Sequence, residues 1–127
     1  YQFFDDIVKK PYGDQTTDKS CLVLMTRGVI PGSRNKSFKA QGALIPRAQG
    51  YEGPEALEAV AGAFLRYAAT GEKLLSDAPW TCARCQEKIG RGRVLVGGFG
   101  TSGLCVHSRY DDFESFGVAV LRKFSGT

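Results

Sequence analysis

Hydrophobic and polar positions along this chain alternate in recognisable runs. "CLVLMTRG" (residues 21–28) is apolar and rich in strand formers, and it stops at "VIPGSRNKS", where Pro31 and Gly32 mark a turn. "FKAQGALIP" (residues 38–46) alternates loosely and predicts a second strand, so the two runs read as a hairpin across the Pro-Gly loop. Residues 54–70 carry Leu57, Val60, Ala61, Phe64, Leu65 and Ala68 at helical spacing, which predicts one buried stripe on a long amphipathic helix. Pro54 suits its first position, Glu55 and Glu58 suit its N-terminal dipole, and Gly71 suits its end.

Shorter signals fill the rest. Phe3, Phe4, Ile7 and Val8 predict a short docking helix in residues 1–10, broken by Pro11 and Gly13. "KLLSDAP" reads as a short strand, and "CQEKIG" as helical or turn-like until Gly90. "RVLVGGFG" and "LCVHSRY" read as strands joined by the Gly/Ser turn "GTSG". "DDFESF" predicts one helical turn capped by Asp111, and "GVAVLRKF" a last strand. The expected fold class is α+β (or mixed α/β): a single sheet, one long helix packed on it, and a Cys-x-x-Cys element. Its 127 residues suit one domain, with residues 1–18 as an N-terminal arm and 19–127 as the core.

Charge adds a direction to this picture. The net charge is +4, and residues 19–51 hold no Asp or Glu against Lys19, Arg27, Arg34, Lys36, Lys39 and Arg47. A second basic cluster, Arg84, Lys88, Arg91 and Arg93, has only Glu87 among it. Such segregation steers polyanions, and with Trp80 as a stacking side chain it predicts a nucleic-acid or acidic-protein face. A segregated solvated surface is the plainer account of the same charges. No apolar run approaches the ~18 residues of a membrane span, so no membrane partner is expected.

The four cysteines carry the candidate chemistry. Cys82-x2-Cys85 precedes Cys105-x-His107, and three thiolates with one imidazole make a tetrahedral zinc complement. His107 is the sole histidine, and it falls beside a cysteine. The plainer account makes Cys105 a small core side chain and His107 an ordinary surface or core residue. The short stretch after Cys85 disfavours a thioredoxin-like redox role, and the sparse cysteines favour an intracellular (cytoplasmic or nuclear) setting over a secreted one. "GGFGTSG" lacks the lysine of a phosphate loop and reads as a flexible hairpin tip.

"CARCQEKIGRGRVLVGG", together with the β-β-α-β order, resembles the cytidine and tRNA-adenosine deaminase superfamily. That resemblance implies a Cys-x-x-Cys at the start of the second helix, with Cys82 and Cys85 as zinc ligands and Glu55 as the proton shuttle. The family's third ligand has no counterpart, since the equivalent spacing lands on Gly53-Pro54-Glu55. Three functions therefore stand: a zinc-stabilised binding module with a basic face, a deaminase-like enzyme or its degenerate relative, and a secreted effector or toxin with Cys82 and Cys85 in disulfides with Cys105 and Cys21. The binding module is favoured, with no catalytic residue.

Overall fold

The computed structural model describes residues 3–4, 21–25, 29–30, 33, 38–46, 49–77, 80–90, 92–109, 116–117, 119 and 121–125. It is an α+β protein. In chain order the elements are β1 (Phe3–Phe4), β2 (Cys21–Met25), α1 (Phe38–Ala43), α2 (Ala56–Thr70), β3 (Cys82–Ile89), β4 (Gly92–Gly100), β5 (Gly103–Arg109), β6 (Phe116–Gly117) and β7 (Leu121–Ser125). Five strands form a mixed sheet in the order β1-β5-β4-β3-β6, while β2 and β7 form a separate antiparallel pair. The predicted hairpin of residues 21–28 with 38–46 is absent, because β2 takes β7 as its partner, Cys21 facing Ser125 and Met25 facing Leu121. β1 pairs parallel with β5 at Cys105 and Val106, so Phe3 and Phe4 are strand rather than docking helix. The rest of that predicted helix lies outside the described residues, as does the predicted helical turn at residues 111–116 except for Phe116, which is strand β6 rather than helix.

Helix α2 starts later than the pattern predicts. Glu55 is its N-cap in extended conformation, and a capping box closes the first turn. The Glu55 side chain accepts from the N3 backbone, while Glu58 Oε1 accepts from the Glu55 N–H at 2.8 Å. Gly71, in the left-handed region, donates its N–H to Tyr67 O and ends the helix as expected. The face it buries is not the predicted stripe. Ala56, Ala59, Val60 and Ala63 are buried, whereas Leu65 is 70% exposed and Phe64 36%. Three alanines and a valine let the helix backbone lie close to a sheet surface built from Ala83, Cys85, Val94, Val96, Leu104 and Val106.

The other face of the sheet is smaller and partly polar. Cys82, Leu95 and Phe116 cluster there. Residues 38–43, read from sequence as a strand, are the short helix α1, whose Gln41 is 1% exposed. Lys39, Ala40 and Gln41 favour helix, and the Gln41 amide has a tertiary anchor that no local pattern carries. Its Nε2 donates to Ser33 O at 2.7 Å and to Phe116 O at 2.9 Å.

The glycines of "GGFG" serve close approach rather than flexibility. Gly97 and Gly98 are buried within β4, and a Cβ at Gly97 would meet the Thr81 carbonyl and Cys82 Cα. Gly98 has φ +62° and lies against the Trp80 ring. The ladder between β4 and β5 shifts register between Gly97 and Gly100, as at a bulge. The β4–β5 hairpin itself is as predicted, with Thr101 and Ser102 at its tip. Among its described residues, "KLLSDAP" contributes isolated bridges, Ser76 with Phe99 and Asp77 with Trp80.

Candidate functional site

The Cys-x-x-Cys lies inside a strand, where residues three apart point to opposite faces. Cys82 packs with Leu95 and Phe116, and Cys85 packs under helix α2. The helix that the deaminase resemblance implies at this position is therefore strand β3. Cys105 and Cys82 both pair with Gly97, from opposite sides of β4. Two interstrand steps separate them, about 10 Å between backbones. His107 sits one pleat further along, opposite Leu95, with its ring 6.5 Å from that of Phe116. Cys105 and His107 thus share a face with Cys82, while Cys85 is on the other. Among the described residues, no three or more His, Cys, Asp or Glu side chains gather where a metal ion could sit. The proposed quartet of Cys82, Cys85, Cys105 and His107 does not converge.

Nor are these cysteines in disulfides. Cys82, Cys85 and Cys105 are buried and in the thiol form. Burial pushes the Cys85 thiol well above its ordinary range, and the carboxylate of Glu87, the Cys82 thiol and Glu58 add to it. Burial raises the Cys105 thiol as well. Both favour the neutral S–H, which is a packing role rather than a nucleophilic or ligating one. Glu55, the proton shuttle under the deaminase resemblance, is occupied as the N-cap of α2.

The five predicted nucleic-acid contacts separate into distinct places. Arg84 is only 4% exposed. Its Nη1 donates to Gln41 Oε1 at 3.1 Å, and its guanidinium lies 5.7 Å from the centre of the Phe116 ring. An arginine so enclosed holds α1 and β6 to the sheet and is not a surface phosphate contact. Trp80 is half-exposed on Gly98, eight residues before Lys88 along β3, a span of about 25 Å. It stands at the far end from the basic side chains. Arg91 lies outside the described residues.

Lys88 and Arg93 do come together. They are direct cross-strand partners on β3 and β4, and Arg93 in turn faces Arg109 on β5. Three cations therefore stand in one row across three neighbouring strands. Lys88 and Arg109 are exposed and Arg93 is half-buried, its Nη1 donating to Gln86 O at 2.8 Å. Arg109 escaped the sequence reading because it falls sixteen residues beyond Arg93. The alternation Cys105, His107, Arg109 was the available signal, since it puts all three on one face.

The row is held on a rigid base. Just before it, both Glu87 carboxylate oxygens accept from the Ala56 N–H, at 2.8 and 3.0 Å. The Gln86 N–H donates to Pro54 O at 3.0 Å, and Gln86 Nε2 donates to Gly53 O. The single acid within the basic cluster is thus spent on the start of α2, on the opposite side of β3 from the cations. No family model, no curated protein and no solved structure matches this chain.

Proposed function

We propose that this domain is a binding module without catalytic turnover, and that it docks the phosphate backbone of a nucleic acid on the basic end of its sheet. The observation that carries the reading is the register Lys88–Arg93–Arg109. A polyanion laid across the row meets cationic side chains from three neighbouring strands at once and releases its own counterions.

The arrangement favours backbone contact over base reading. The three side chains project from strands spaced about 4.8 Å apart, in a line. Such a line follows a chain of phosphates and carries no donor–acceptor code for bases. Affinity is then independent of sequence and steeply dependent on salt. The direct test is binding of fluorescently labelled single-stranded and duplex oligonucleotides by the unaltered chain and by the Arg93→Ala/Arg109→Ala variant. The variant is expected to bind more weakly to every sequence alike. Equal binding by both proteins removes the proposal.

A further inference from the structure

The segment between α2 and β3 presents an indole and a carboxylate side by side to solvent, on a strained backbone. Leu75 has φ +52°, the one non-glycine residue with positive φ among the described residues, and it is buried. A leucine in that region is strained, because its Cβ crowds the following carbonyl. Hydrogen bonds hold it there: Leu75 O accepts from the Phe99 N–H at 2.8 Å, and Ser76 O accepts from the Thr81 N–H at 2.9 Å. Within the turn so closed, Asp77 and Trp80 pair as an isolated antiparallel bridge.

Three glycines of β4 receive this turn. The Thr81 carbonyl lies where Gly97 would carry a Cβ, the Trp80 ring where Gly98 would, and the Asp77 carboxylate where Gly100 would. Gly98 and Gly100 are two positions apart in one strand, at most about 7 Å, so indole and carboxylate are neighbours. Neither is covered. Trp80 is 41% exposed, although few side chains gain more from burial, and Asp77 is exposed. Retained backbone strain collects at ligand clamps, and here it stands directly before the two exposed groups.

The carboxylate has no partner within the described residues. Asp77 accepts no hydrogen bond and meets no cation there. The nearest basic residues in sequence are engaged elsewhere. Arg66 is held by Glu72 at 2.7 Å, and Lys73 Nζ stands 5.6 Å from the centre of the Tyr67 ring and 5.9 Å from that of Phe99.

The chemistry of the pair selects its ligand. An indole ring attracts cations more strongly than any other aromatic side chain, and a carboxylate beside it adds opposite charge and two acceptors. An ammonium group is a compact, strongly hydrated point charge. A guanidinium is planar, so it stacks on the ring while its edge N–H groups fork onto the carboxylate. We infer that Asp77 and Trp80 form a binding site for a guanidinium, carried by an arginine of a partner polypeptide. Charge complementarity is local, since the site lies at the far end of β3 and β4 from Lys88 and Arg93.

Trp80 is the only tryptophan, so its emission reports occupancy in the full chain. Titration with Nα-acetyl-arginine amide at constant ionic strength is expected to give a saturable change. The neutral isostere Nα-acetyl-citrulline amide, and the lysine analogue, are expected to bind about tenfold more weakly or worse. Asp77→Asn is expected to lose about tenfold in affinity for the arginine derivative with an unchanged far-UV circular dichroism spectrum, because the replaced side chain is exposed. Trp80→Leu, followed by ligand-observed NMR, is expected to lose binding as well. No saturable response overturns the inference, and so does parental affinity in Asp77→Asn or in Trp80→Leu. Equal binding of the citrulline or lysine derivative overturns the assignment to a guanidinium. None of these results bears on the basic row, whose test is nucleic-acid binding.

Discussion

Arg84 is bound to Gln41 inside the protein, guanidinium to side-chain carbonyl at 3.1 Å, across 43 positions of sequence. Gln41 spends its two amide protons on Ser33 O and Phe116 O, so one side chain ties α1, the loop before it, β3 and β6 together. This is the reason a residue from the densest basic cluster of the sequence is absent from the proposed binding row.

The first prediction follows from that bond. Gln41→Ala removes three buried hydrogen bonds at about 1 kcal/mol each, so unfolding by urea should show a loss of roughly 3 kcal/mol. Arg84→Ala should be similarly costly. Neither change should alter the salt dependence of nucleic-acid binding by protein that remains folded. A variant with parental stability would show that the Arg84–Gln41 pair contributes nothing to the fold.

Helix α2 gives the second. Glu55→Ala deletes the N-cap acceptor and half of the capping box, at a cost of about 1 kcal/mol in thermal or chemical denaturation. Nucleic-acid binding by the folded variant should be unchanged. Loss of a nucleobase-converting activity in this variant, with stability preserved, would point instead to the proton-shuttling role.

The third concerns Gly98. Alanine there must adopt φ +62° and displace the Trp80 ring at once. Backbone strain alone costs about 1–2 kcal/mol, and the clash adds to it. Trp80 is the only tryptophan, so its fluorescence reports the displacement directly. A Gly98→Ala protein with parental emission and stability would contradict the close packing.

The thiols set a pH dependence. The native pKa of Cys85 is raised by burial first and by neighbouring negative charge second, and that of Cys105 is also raised by burial. Over the range in which the unfolded thiol ionises, above about pH 8.5, the native state holds the extra proton. Stability is therefore fully present at neutral pH and falls as pH rises, by about 1.4 kcal/mol per pH unit for each thiol until the native group ionises. Cys85→Ala should flatten that slope measured between pH 8 and pH 10. Because Cys85 and Cys82 face opposite sides of β3, a chelator should leave the melting temperature unchanged. A chelator-induced fall would instead restore the zinc complement of Cys82, Cys85, Cys105 and His107.

How much of this was legible follows from the range of each interaction. The β4–β5 hairpin was readable because its strands are apolar, adjacent and joined by a Gly/Ser turn. The helix at residues 56–70 was readable by period, but not its orientation: large side chains suggested the buried stripe, and the sheet accepts the small ones instead. The β2–β7 pairing joins residues about a hundred positions apart, Cys21 with Ser125 and Met25 with Leu121, and leaves no local trace. Cys82 and Cys85 invited a metal reading by spacing alone, which is blind to the alternation of a strand. Two of the three members of the basic row were visible as density around Lys88 and Arg93. Arg109 joined it only through the register of β5.

Binding through the Lys88–Arg93–Arg109 row shows itself in how nucleic-acid affinity depends on salt. Three cations that neutralise three phosphates give a slope of log K against log salt of about −2 for a single strand and −2.7 for a duplex. Fluorescence anisotropy over a range of salt concentrations measures it. The unaltered protein should show such a slope, equal for unrelated oligonucleotide sequences, and Arg93→Ala/Arg109→Ala a slope shallower by about 1.5. Absence of binding at low salt, or a double variant with the parental slope, would contradict it.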